Sequence, residues 1–567
     1  MTKAADRRKP VILVRRAGDL AGHDHEYRIM TAHAYAAQRG RHAIEGDTVV
    51  NLCRLHRYAS VAWHCSLLAE ARGQVPIPSV DTILDLRSNA ICHLALPELD
   101  ALLRQALCPG AAVAPASGAP ASGERSGLDI FFGRVSDGRF GALARRAFDL
   151  FPCPILRLDI VGSAGGNAPR VTAIRHRSIR DLTPARQDEF RTALAAFLAE
   201  TPSNQANSVP AMHCPEGPEN GMTPNGMTSN GTTSNGTTPA RSRGAPYVLA
   251  ILRDPLEPPH ARSARALDKF ARAGKRLGLR VELIGKPDYH RIGHYDALFI
   301  REATRLNHHT YRFAKAAAVA GLPVIDDPRS IVRCTNKVFL AELLQANDVP
   351  TPRSLILDRA RLVSVEQEIA YPIVLKSPDG SFSRDVHKAE NRTDLMRIAC
   401  RLFARSDLIV AQAFMPTPFD WRVTILDGKP IFACQYFMVR NHWQVNKLLR
   451  GGRLWGGDCR TWSVADVPAE ILRIATRAAA LIGNGLYGVD LKETEAGIFV
   501  IEINDNPSID AGVEDACLKD ELYRIVLRAF IRRIEVRIGS HGTTEENTAT
   551  IPDWTEATRV ASPGLVP

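Results

Sequence analysis

The chain has 567 residues, of which 45% are hydrophobic and 23% charged, a composition typical of globular proteins with room for three or four domains. The net charge of +11 is spread along the sequence, and no block of lysine and arginine indicates a nucleic-acid partner. Because no apolar run could span a membrane and the 11 cysteines form no Cys-x-x-Cys pair, we expect a cytoplasmic protein without membrane partners, disulfides or cysteine-bound zinc.

The N-terminal part of the chain, residues 1–200, has the pattern of an α/β domain. Short apolar runs typical of strands occur at residues 11–14, 48–52 and 155–160. Residues 59–71 instead carry apolar side chains at helical spacing, which predicts a helix between the strands. Strands and helices mixed in this way favour an α/β fold.

A segment of low complexity follows at residues 201–245. Asn-Gly pairs recur there at five-residue intervals, and the four asparagines are Asn220, Asn225, Asn230 and Asn235. Such a segment has almost nothing to bury, so it predicts a flexible linker. The polar C-terminal tail, residues 541–567, predicts a frayed end.

Residues 246–335 have the pattern of a small parallel sheet covered by helices. Strand-like runs alternate there with amphipathic helical segments, as in βαβ units. The predicted strands lie at residues 247–252, 281–284, 297–300 and 323–325, and the predicted helices at 263–278 and 310–320.

The remaining part, residues 336–540, begins with two lysines in distinctive positions. Lys337 opens a predicted helix, and Lys376 ends a predicted strand that runs into the small loop 377–383. A loop of this kind can close over phosphate groups and donate backbone N–H groups to them. Each lysine taken alone is equally typical of a solvated side chain, and a Gly/Ser loop is often only a turn.

Two further features follow in order. The apolar strand predicted at residues 408–414 can flank a flat base, and the strand at 419–423 presents Arg422. An arginine beside an aspartate is commonly just a surface pair. The ordered combination with the two lysines is what favours a nucleotide site.

The most informative segment is a predicted hairpin that carries three oxygen ligands. Side chains alternate along a strand, so Glu502 and Asn504 point to the same face. A turn at residues 495–497 would place Asp490 opposite residues 501 and 502 on the returning strand. Hard oxygen ligands facing one space suit magnesium, although an ordinary hairpin with a polar, wet face has the same pattern.

This ordered set resembles the ATP-grasp superfamily, and within it the RimK-like carboxylate–amine ligases, over roughly residues 246–535. The resemblance implies an α/β (α+β) chain in which a pre-ATP-grasp parallel-sheet domain (246–335) precedes a two-lobed ATP-grasp domain (336–540). It implies that Lys337, Lys376 and Ser381 contact the phosphates of ATP. It also implies an adenine and ribose pocket formed by Gln412, Ala413, Phe414 and Met415.

The same resemblance implies the catalytic and metal-binding groups. Arg422, with Lys376, would act on the reacting acyl phosphate, and two magnesium or manganese ions would be held by Asp490, Glu502 and Asn504. One departure is Ala413, where many relatives have an acidic residue, so the base would rely on backbone groups at that point. Residues 49–58, 66–73 and 77–80 resemble the N-terminal domain of some RimK-like proteins, a match over roughly residues 10–195.

The resemblance implies an enzyme that uses ATP to join a carboxylate to an amine, with amino acids or peptides as substrates. The acceptor is left open between a small molecule and a protein terminus, and relatives are often homo-oligomers. Two other functions stay open: a nucleotide-binding regulatory or scaffold protein, and a phosphotransferase. Candidates for the acceptor region are Arg301, His308, His309, Trp443, Asn446 and Lys447.

Overall fold

The computed structural model describes residues 10–20, 27–38, 46–55, 57–107, 125–162, 168–200, 246–254, 261–380, 385–448 and 454–539. The predicted linker 201–245, the predicted tail 541–567 and Ser381 lie outside the described residues. The limits given above for the domains stay predictions.

The N-terminal part begins with a parallel sheet in the order β2–β1–β3–β4. All four residues of the central strand Val11–Val14 are buried, as expected of a parallel strand covered on both faces. Its strands are β1 (Val11–Val14), β2 (Arg28–Thr31), β3 (Thr48–Asn51) and β4 (Val75–Ile77). Its helices are α1 (Ala32–Ala37), α2 (Val61–Ala71), α3 (Val80–Leu86) and α4 (Asn89–Leu107).

The helix predicted at residues 59–71 is α2, and it begins two residues later than predicted. The Ser60 side chain accepts a hydrogen bond from the backbone N–H of Trp63, which fixes the start of the helix. An antiparallel sheet with strands in the order β5–β6–β7 then completes the N-terminal part. Its elements are β5 (Arg125–Phe131), α5 (Gly141–Leu150), β6 (Ile155–Val161), β7 (Arg170–His176) and α6 (Pro184–Glu200).

The small parallel sheet predicted for residues 246–335 is confirmed. Its strand order is β11–β10–β8–β9, and all of its pairings are parallel. The elements are β8 (Tyr247–Leu252), α7 (Ala261–Arg276), β9 (Leu279–Ile284), β10 (Ala297–Ile300), α8 (His309–Val319) and β11 (Val324–Ile325).

Two helices lead into the C-terminal part, which is built on two antiparallel sheets. The helices are α9 (Pro328–Thr335) and α10 (Lys337–Ala346). The strands of the first sheet are β12 (Ser354–Leu357), β13 (Ile373–Lys376), β14 (Val386–Ala389) and β15 (Ile409–Ala413), in the order β12–β15–β13–β14. The helix α11 (Arg392–Phe403) connects β14 to β15 along the chain.

The second sheet has the order β20–β17–β16–β21–β22, and a two-stranded ribbon lies beside it. Its strands are β16 (Phe419–Leu426), β17 (Lys429–Phe437), β20 (Cys459–Trp462), β21 (Leu486–Thr494) and β22 (Gly497–Asn504). The ribbon consists of β18 (Asn446–Leu448) and β19 (Leu454–Gly456). The helices of this part are α12 (Ala469–Ala480) and α13 (Asp520–Gly539).

The predicted fold class is confirmed, because an N-terminal α/β region and a parallel-sheet region precede two antiparallel sheets that form two lobes. Among the helices that the structure describes, none combines the length and the apolar character that crossing a bilayer requires.

The N-terminal sheet shares one hydrophobic core with the C-terminal part. Trp63 of α2, Phe313 of α8 and Phe339 of α10 are buried in the same cluster. Within this contact, Arg72 Nε donates a hydrogen bond to Glu342 Oε1 at 2.7 Å, and the two side chains are only 1% and 4% exposed. The Arg72 guanidinium also lies 4.7 Å from the centre of the Tyr35 ring. A buried ion pair therefore joins the N-terminal part to α10.

We expect Arg72→Ala to lower the free energy of unfolding by about 3–5 kcal/mol, because the substitution leaves the Glu342 carboxylate buried without its partner. Urea unfolding followed by tryptophan fluorescence measures the change. Arg473→Ala is the matched control, since Arg473 pairs with Glu470 on the exposed face of α12 and should change stability little. Equal effects of the two substitutions would contradict this assignment.

Candidate active site

A cavity of about 1400 Å³ lies between the two antiparallel sheets of the C-terminal part. Both sheets contribute to its wall, with Lys376 at the end of β13 and Arg422 on β16. The structure brings most of the predicted site residues together there: Lys337, Lys376, Gln412, Ala413, Phe414, Met415, Arg422, Trp443, Asn446, Asp490, Glu502 and Asn504.

The hairpin of β21 and β22 has the register that the sequence predicts. Asp490 pairs with Glu502 and Gly488 pairs with Asn504, while a bulge after Asp490 accommodates the extra residue Ile501. Asn504 Nδ2 donates a hydrogen bond to Asp490 Oδ2 at 3.1 Å, so the two side chains lie on the same face of the hairpin. The hairpin therefore presents three oxygen-bearing side chains to one end of the cavity.

Arg422 and Lys337 neutralise the two carboxylates of this hairpin. Arg422 donates from Nε and Nη2 to the two carboxylate oxygens of Asp490, at 2.5 and 2.7 Å. Lys337 Nζ lies 2.7 Å from Glu502 Oε1 and donates to the backbone carbonyl of Gly380 at 2.7 Å. Both cations thus line the cavity beside the acidic hairpin.

The pKa values of these groups reflect their enclosure and their mutual charges. Burial raises the pKa of Asp490, and the opposing effect of Arg422 only partly offsets it. Burial also acts to raise the pKa of Glu502, but Lys337 and Lys376 outweigh it and hold that pKa below its usual value. Burial lowers the pKa of Lys376 to about 8. Glu502 is therefore ionised at neutral pH, and Lys376 loses its proton as the pH rises through about 8.

The donor set of this hairpin fits magnesium or manganese. Carboxylate and amide oxygens are the ligands that these hard cations prefer. Asn504 uses its amide nitrogen for contacts to Asp490 and to the backbone carbonyl of Gly488, which leaves its carbonyl oxygen available to a ligand. Asp490, Glu502 and Asn504 would together hold the metal, beside the cationic groups that the sequence predicts to contact the nucleotide phosphates.

The start of α10 is held by hydrogen bonds to the first residues of the loop that follows β13. Asn336 caps α10 and donates from Nδ2 to Asp379 Oδ1 at 3.1 Å, and the backbone N–H of Lys337 donates to the carbonyl of Pro378 at 2.8 Å. The Tyr58 hydroxyl of the N-terminal part donates to the other oxygen of Asp379. The N-terminal part therefore contributes directly to the wall of the cavity, which sequence reasoning missed.

The predicted base pocket is flanked by an aromatic pair. The rings of Phe414 and Trp443 lie edge to face at 5.9 Å, and Lys388 Nζ lies 4.7 Å from the centre of the Phe414 ring. The backbone N–H groups of Ala413 and Phe414 donate to carbonyls within the protein, and Gln412 Nε2 donates to Ser354 Oγ. A base in this pocket would therefore use other backbone groups.

One predicted residue, Arg301, differs in position from the others, and one unpredicted residue, Lys492, lies in the site. Arg301 does not line the cavity; its Nη1 donates to Asn506 Oδ1 at 2.6 Å and to the Pro507 carbonyl, and so anchors the segment after β22. The Lys447 side chain lies outside the described residues. Lys492, which sequence reasoning missed, lines the cavity and pairs with Asp420 at 2.5 Å. Strand alternation could have identified it, since it lies two residues from Asp490.

Comparisons with known proteins find relatives of the N-terminal and C-terminal parts of the chain. The family described as RimK-like ATPgrasp N-terminal domain matches residues 32–193, and the RimK-like ATP-grasp domain matches residues 334–518. The alpha-aminoadipate–LysW ligase LysX of Saccharolobus solfataricus is 27% identical over 248 residues, which cover 41% of this chain and 86% of that protein.

Two more matches have lower identity. The tetrahydromethanopterin:alpha-L-glutamate ligase of Methanocaldococcus jannaschii is 24% identical over 194 residues, 33% of this chain and 63% of that protein. Among solved structures, the RimK domain protein ATP-grasp from Sphaerobacter thermophilus has a TM-score of 0.35 at 19% identity, over 46% of this chain and 91% of that one.

Proposed function

Because the chain belongs to the RimK-like ATP-grasp ligases, which form carbon–nitrogen bonds, we propose that it joins a carboxylate to an amine through an acyl phosphate made from ATP. This proposal rests on one observation: three cationic side chains and the acidic hairpin line the same cavity. These cations are Lys337, Lys376 and Arg422. A site that only bound a nucleotide would not need a half-buried arginine in addition to the two lysines.

The first step transfers a phosphoryl group. A carboxylate oxygen of the substrate forms a bond to the γ-phosphorus of ATP, the bond to the β,γ-bridging oxygen breaks, and ADP leaves. Negative charge approaches negative charge in this step, so fixed cations supply most of the catalysis. Lys337 and Lys376 would hold the nucleotide phosphates, and Arg422 would hold the acyl phosphate that forms.

The second step makes the amide. The amine nitrogen attacks the acyl carbon, inorganic phosphate leaves with one oxygen of the original carboxylate, and the nitrogen loses a proton. Arg422 would again supply a cation to the departing phosphate. The acyl phosphate must be protected from water, and Asp379 and Gly380, which follow Lys376, line the cavity in which it would form.

Asp490, Glu502 and Asn504 would hold one or two magnesium or manganese ions, which when bound neutralise charge on the phosphates. The protein cations that pair with these ligands keep the acidic groups ionised and in place. The pairing also positions Arg422 and Lys337 toward the same end of the cavity.

We propose an amino acid as one substrate. The names of both relatives above include an amino acid, alpha-aminoadipate in one and alpha-L-glutamate in the other. The cavity of about 1400 Å³ exceeds the volume usual for one drug-sized ligand, so a nucleotide and an amino acid have room together. Trp443 and Asn446 of its wall are the candidates to contact the second substrate, which we propose is an amino acid, a peptide or a protein terminus.

Oxygen-18 transfer tests the acyl-phosphate route. An amino acid that stimulates ADP release is labelled in its carboxylate and incubated with ATP, magnesium and the amine substrate. We expect one labelled oxygen per amide formed to appear in inorganic phosphate. Label that stays in a phosphorylated product would favour a phosphotransferase, and unlabelled phosphate would contradict the proposed route.

The affinity for ATP should fall as the pH rises above about 8. Lys376 has a pKa of about 8, so it is charged below this pH and loses its proton above it. Binding then requires proton uptake, which weakens affinity by up to about tenfold per pH unit until the pKa of the bound state is passed. Isothermal titration of ATP at several pH values measures this.

The matched control for this prediction is Lys376→Arg, because a guanidinium keeps its charge throughout this pH range. Its ATP affinity should vary much less with pH than that of the unmodified protein, while any titration of ATP itself affects both proteins equally. Parallel pH profiles would contradict a phosphate contact by Lys376.

A further inference from the structure

Three potential metal ligands converge outside the proposed active site. Glu302 follows β10, and His308 and His309 lie at the start of α8. One ligand atom from each residue lies within 4.8 Å of the other two. Ligands at about 2.1 Å from a tetrahedral ion are roughly 3.4 Å apart, so small side-chain rotations would complete the geometry.

The buried carboxylate of this cluster has one oxygen without a partner. The Glu302 side chain is 4% exposed, and its Oε1 lies within ion-pair distance of His309 Nε2. Its Oε2 is buried and has no hydrogen-bond partner among the described residues. A buried carboxylate oxygen without a partner is costly, and a bound ion would satisfy it.

A neighbouring contact orders the second imidazole. His308 Nδ1 lies 3.1 Å from the hydroxyl of Thr310, which is fully buried. Metal-binding histidines commonly have a ring nitrogen engaged in this way, because the contact fixes the ring orientation. The centres of the His308 and His309 rings lie 4.0 Å apart, and the ring planes are tilted by 44°.

We propose that Glu302, His308 and His309 bind a transition-metal dication of the zinc class, at a site separate from the magnesium-binding hairpin. Imidazole nitrogen favours zinc, cobalt, nickel and related ions over magnesium, and two histidines with one carboxylate form a familiar zinc ligand set. Water or another group completes the coordination. This proposal does not depend on the proposed ligase activity.

The position of the cluster gives the ion a structural role in the wall of the cavity. Residues 303–307 line the cavity, and the metal ligands stand at both ends of this segment. The backbone carbonyl of Glu302 also accepts a hydrogen bond from Asn506 Nδ2 at 2.7 Å, two residues beyond Asn504. An ion bound here would therefore hold the segment in one conformation beside the magnesium-binding hairpin.

Cobalt titration of the full-length protein tests the site. The protein is first treated with a chelator and dialysed, and cobalt is then added in excess magnesium, which occupies the hairpin site. We expect one equivalent of cobalt to bind, with visible absorption of a low-symmetry site and without thiolate charge-transfer bands. Zinc should displace the cobalt stoichiometrically.

Glu302→Gln and His309→Asn are each expected to weaken cobalt binding by more than about tenfold. His290→Asn is the matched control, because His290 is exposed and distant from the cluster in sequence, and it should bind cobalt like the unmodified protein. Circular dichroism establishes that the variants fold. Equal cobalt affinity in all four proteins would overturn the proposal.

If a variant fails to fold, zinc-edge X-ray absorption of the unmodified protein tests the proposal by identifying the atoms that coordinate zinc. Nitrogen and oxygen ligands, including imidazole scattering, are expected. Sulfur ligands, or the absence of stoichiometric zinc after dialysis in excess magnesium, would overturn it.

Discussion

Glu502→Gln is expected to lower kcat by about 10³-fold or more, while the protein keeps its fold. Glu502 lies opposite Asp490 in the hairpin and pairs with Lys337, so in the proposed site it would serve both the metal ligand set and the lysine that binds phosphate. Glutamine has nearly the same size but loses the charge that holds a divalent ion. Coupled measurement of ADP release at saturating ATP and magnesium gives the change in kcat.

The matched control is Glu495→Gln, the same substitution at an exposed residue in the turn of this hairpin. It should leave kcat close to that of the unmodified protein. Raising magnesium should restore little activity to Glu502→Gln, since the lost ligand also orients Lys337. A kcat for Glu502→Gln within about twofold of the control would contradict a role of the hairpin in the reaction.

Arg422→Lys is expected to lower kcat by about 10²-fold with a smaller change in ATP affinity. Arg422 makes two parallel hydrogen bonds to Asp490, and its guanidinium lies 5.2 Å from the centre of the Tyr436 ring. Lysine keeps the positive charge but cannot provide the planar fork that contacts a carboxylate and an acyl phosphate together. Steady-state kinetics with ATP and each substrate separates kcat from KM.

Because Arg422→Lys keeps the positive charge, a change in kcat would report the loss of the guanidinium geometry and not the loss of charge. Asp490 stays paired with a cation in Arg422→Lys, so unfolding of the protein is not expected. Arg473→Lys, at an exposed pair on α12, controls for the exchange itself. If Arg422→Lys reduced ATP affinity strongly and left kcat unchanged, Arg422 would be a nucleotide-binding residue rather than one that acts on the acyl phosphate.

The sequence predicts the local parts of this site well, and the reason is geometric. The register of Asp490 against Glu502 follows from strand alternation and from the position of one turn. Lys337 and Lys376 lie at the ends of elements whose apolar patterns are clear. Short-range rules of this kind need no knowledge of the tertiary fold, so predicted strands and helices fall within a few residues of the observed ones.

Contacts between distant segments were not predictable in the same way. Tyr58 and Asp379 are 321 residues apart in sequence, and Arg72 and Glu342 are 270 apart. Nothing in the local pattern of either residue indicates its partner, because the pairing depends on how the N-terminal sheet packs against α10. For the same reason the sequence does not indicate that the guanidinium of Arg301 binds the segment after β22, and a contact of Arg301 with substrate stays a prediction.

The packing of the N-terminal part suggests that it supports the active site as well as any function of its own. Tyr58 contacts Asp379 in the loop that follows β13, and Lys315 of α8 forms a buried pair with Asp85 of α3 at 2.9 Å. The first contact lies in the wall of the cavity, and the second holds α8, which follows the cavity-lining residues 303–307 in sequence. Kinetic changes caused by substitutions at Tyr58 would therefore be transmitted through Asp379.

The central claim is that this chain forms an amide bond at the expense of ATP, and product identification tests it most directly. The protein and Glu502→Gln are incubated side by side with ATP, magnesium and mixtures of amino acids and short peptides, and ADP and products are measured by mass spectrometry. We predict substrate-dependent ADP release and a product lighter by one water than the sum of two substrates, both absent with the variant. ADP release accompanied only by phosphorylated substrate, or turnover equal in the two proteins, would contradict the claim.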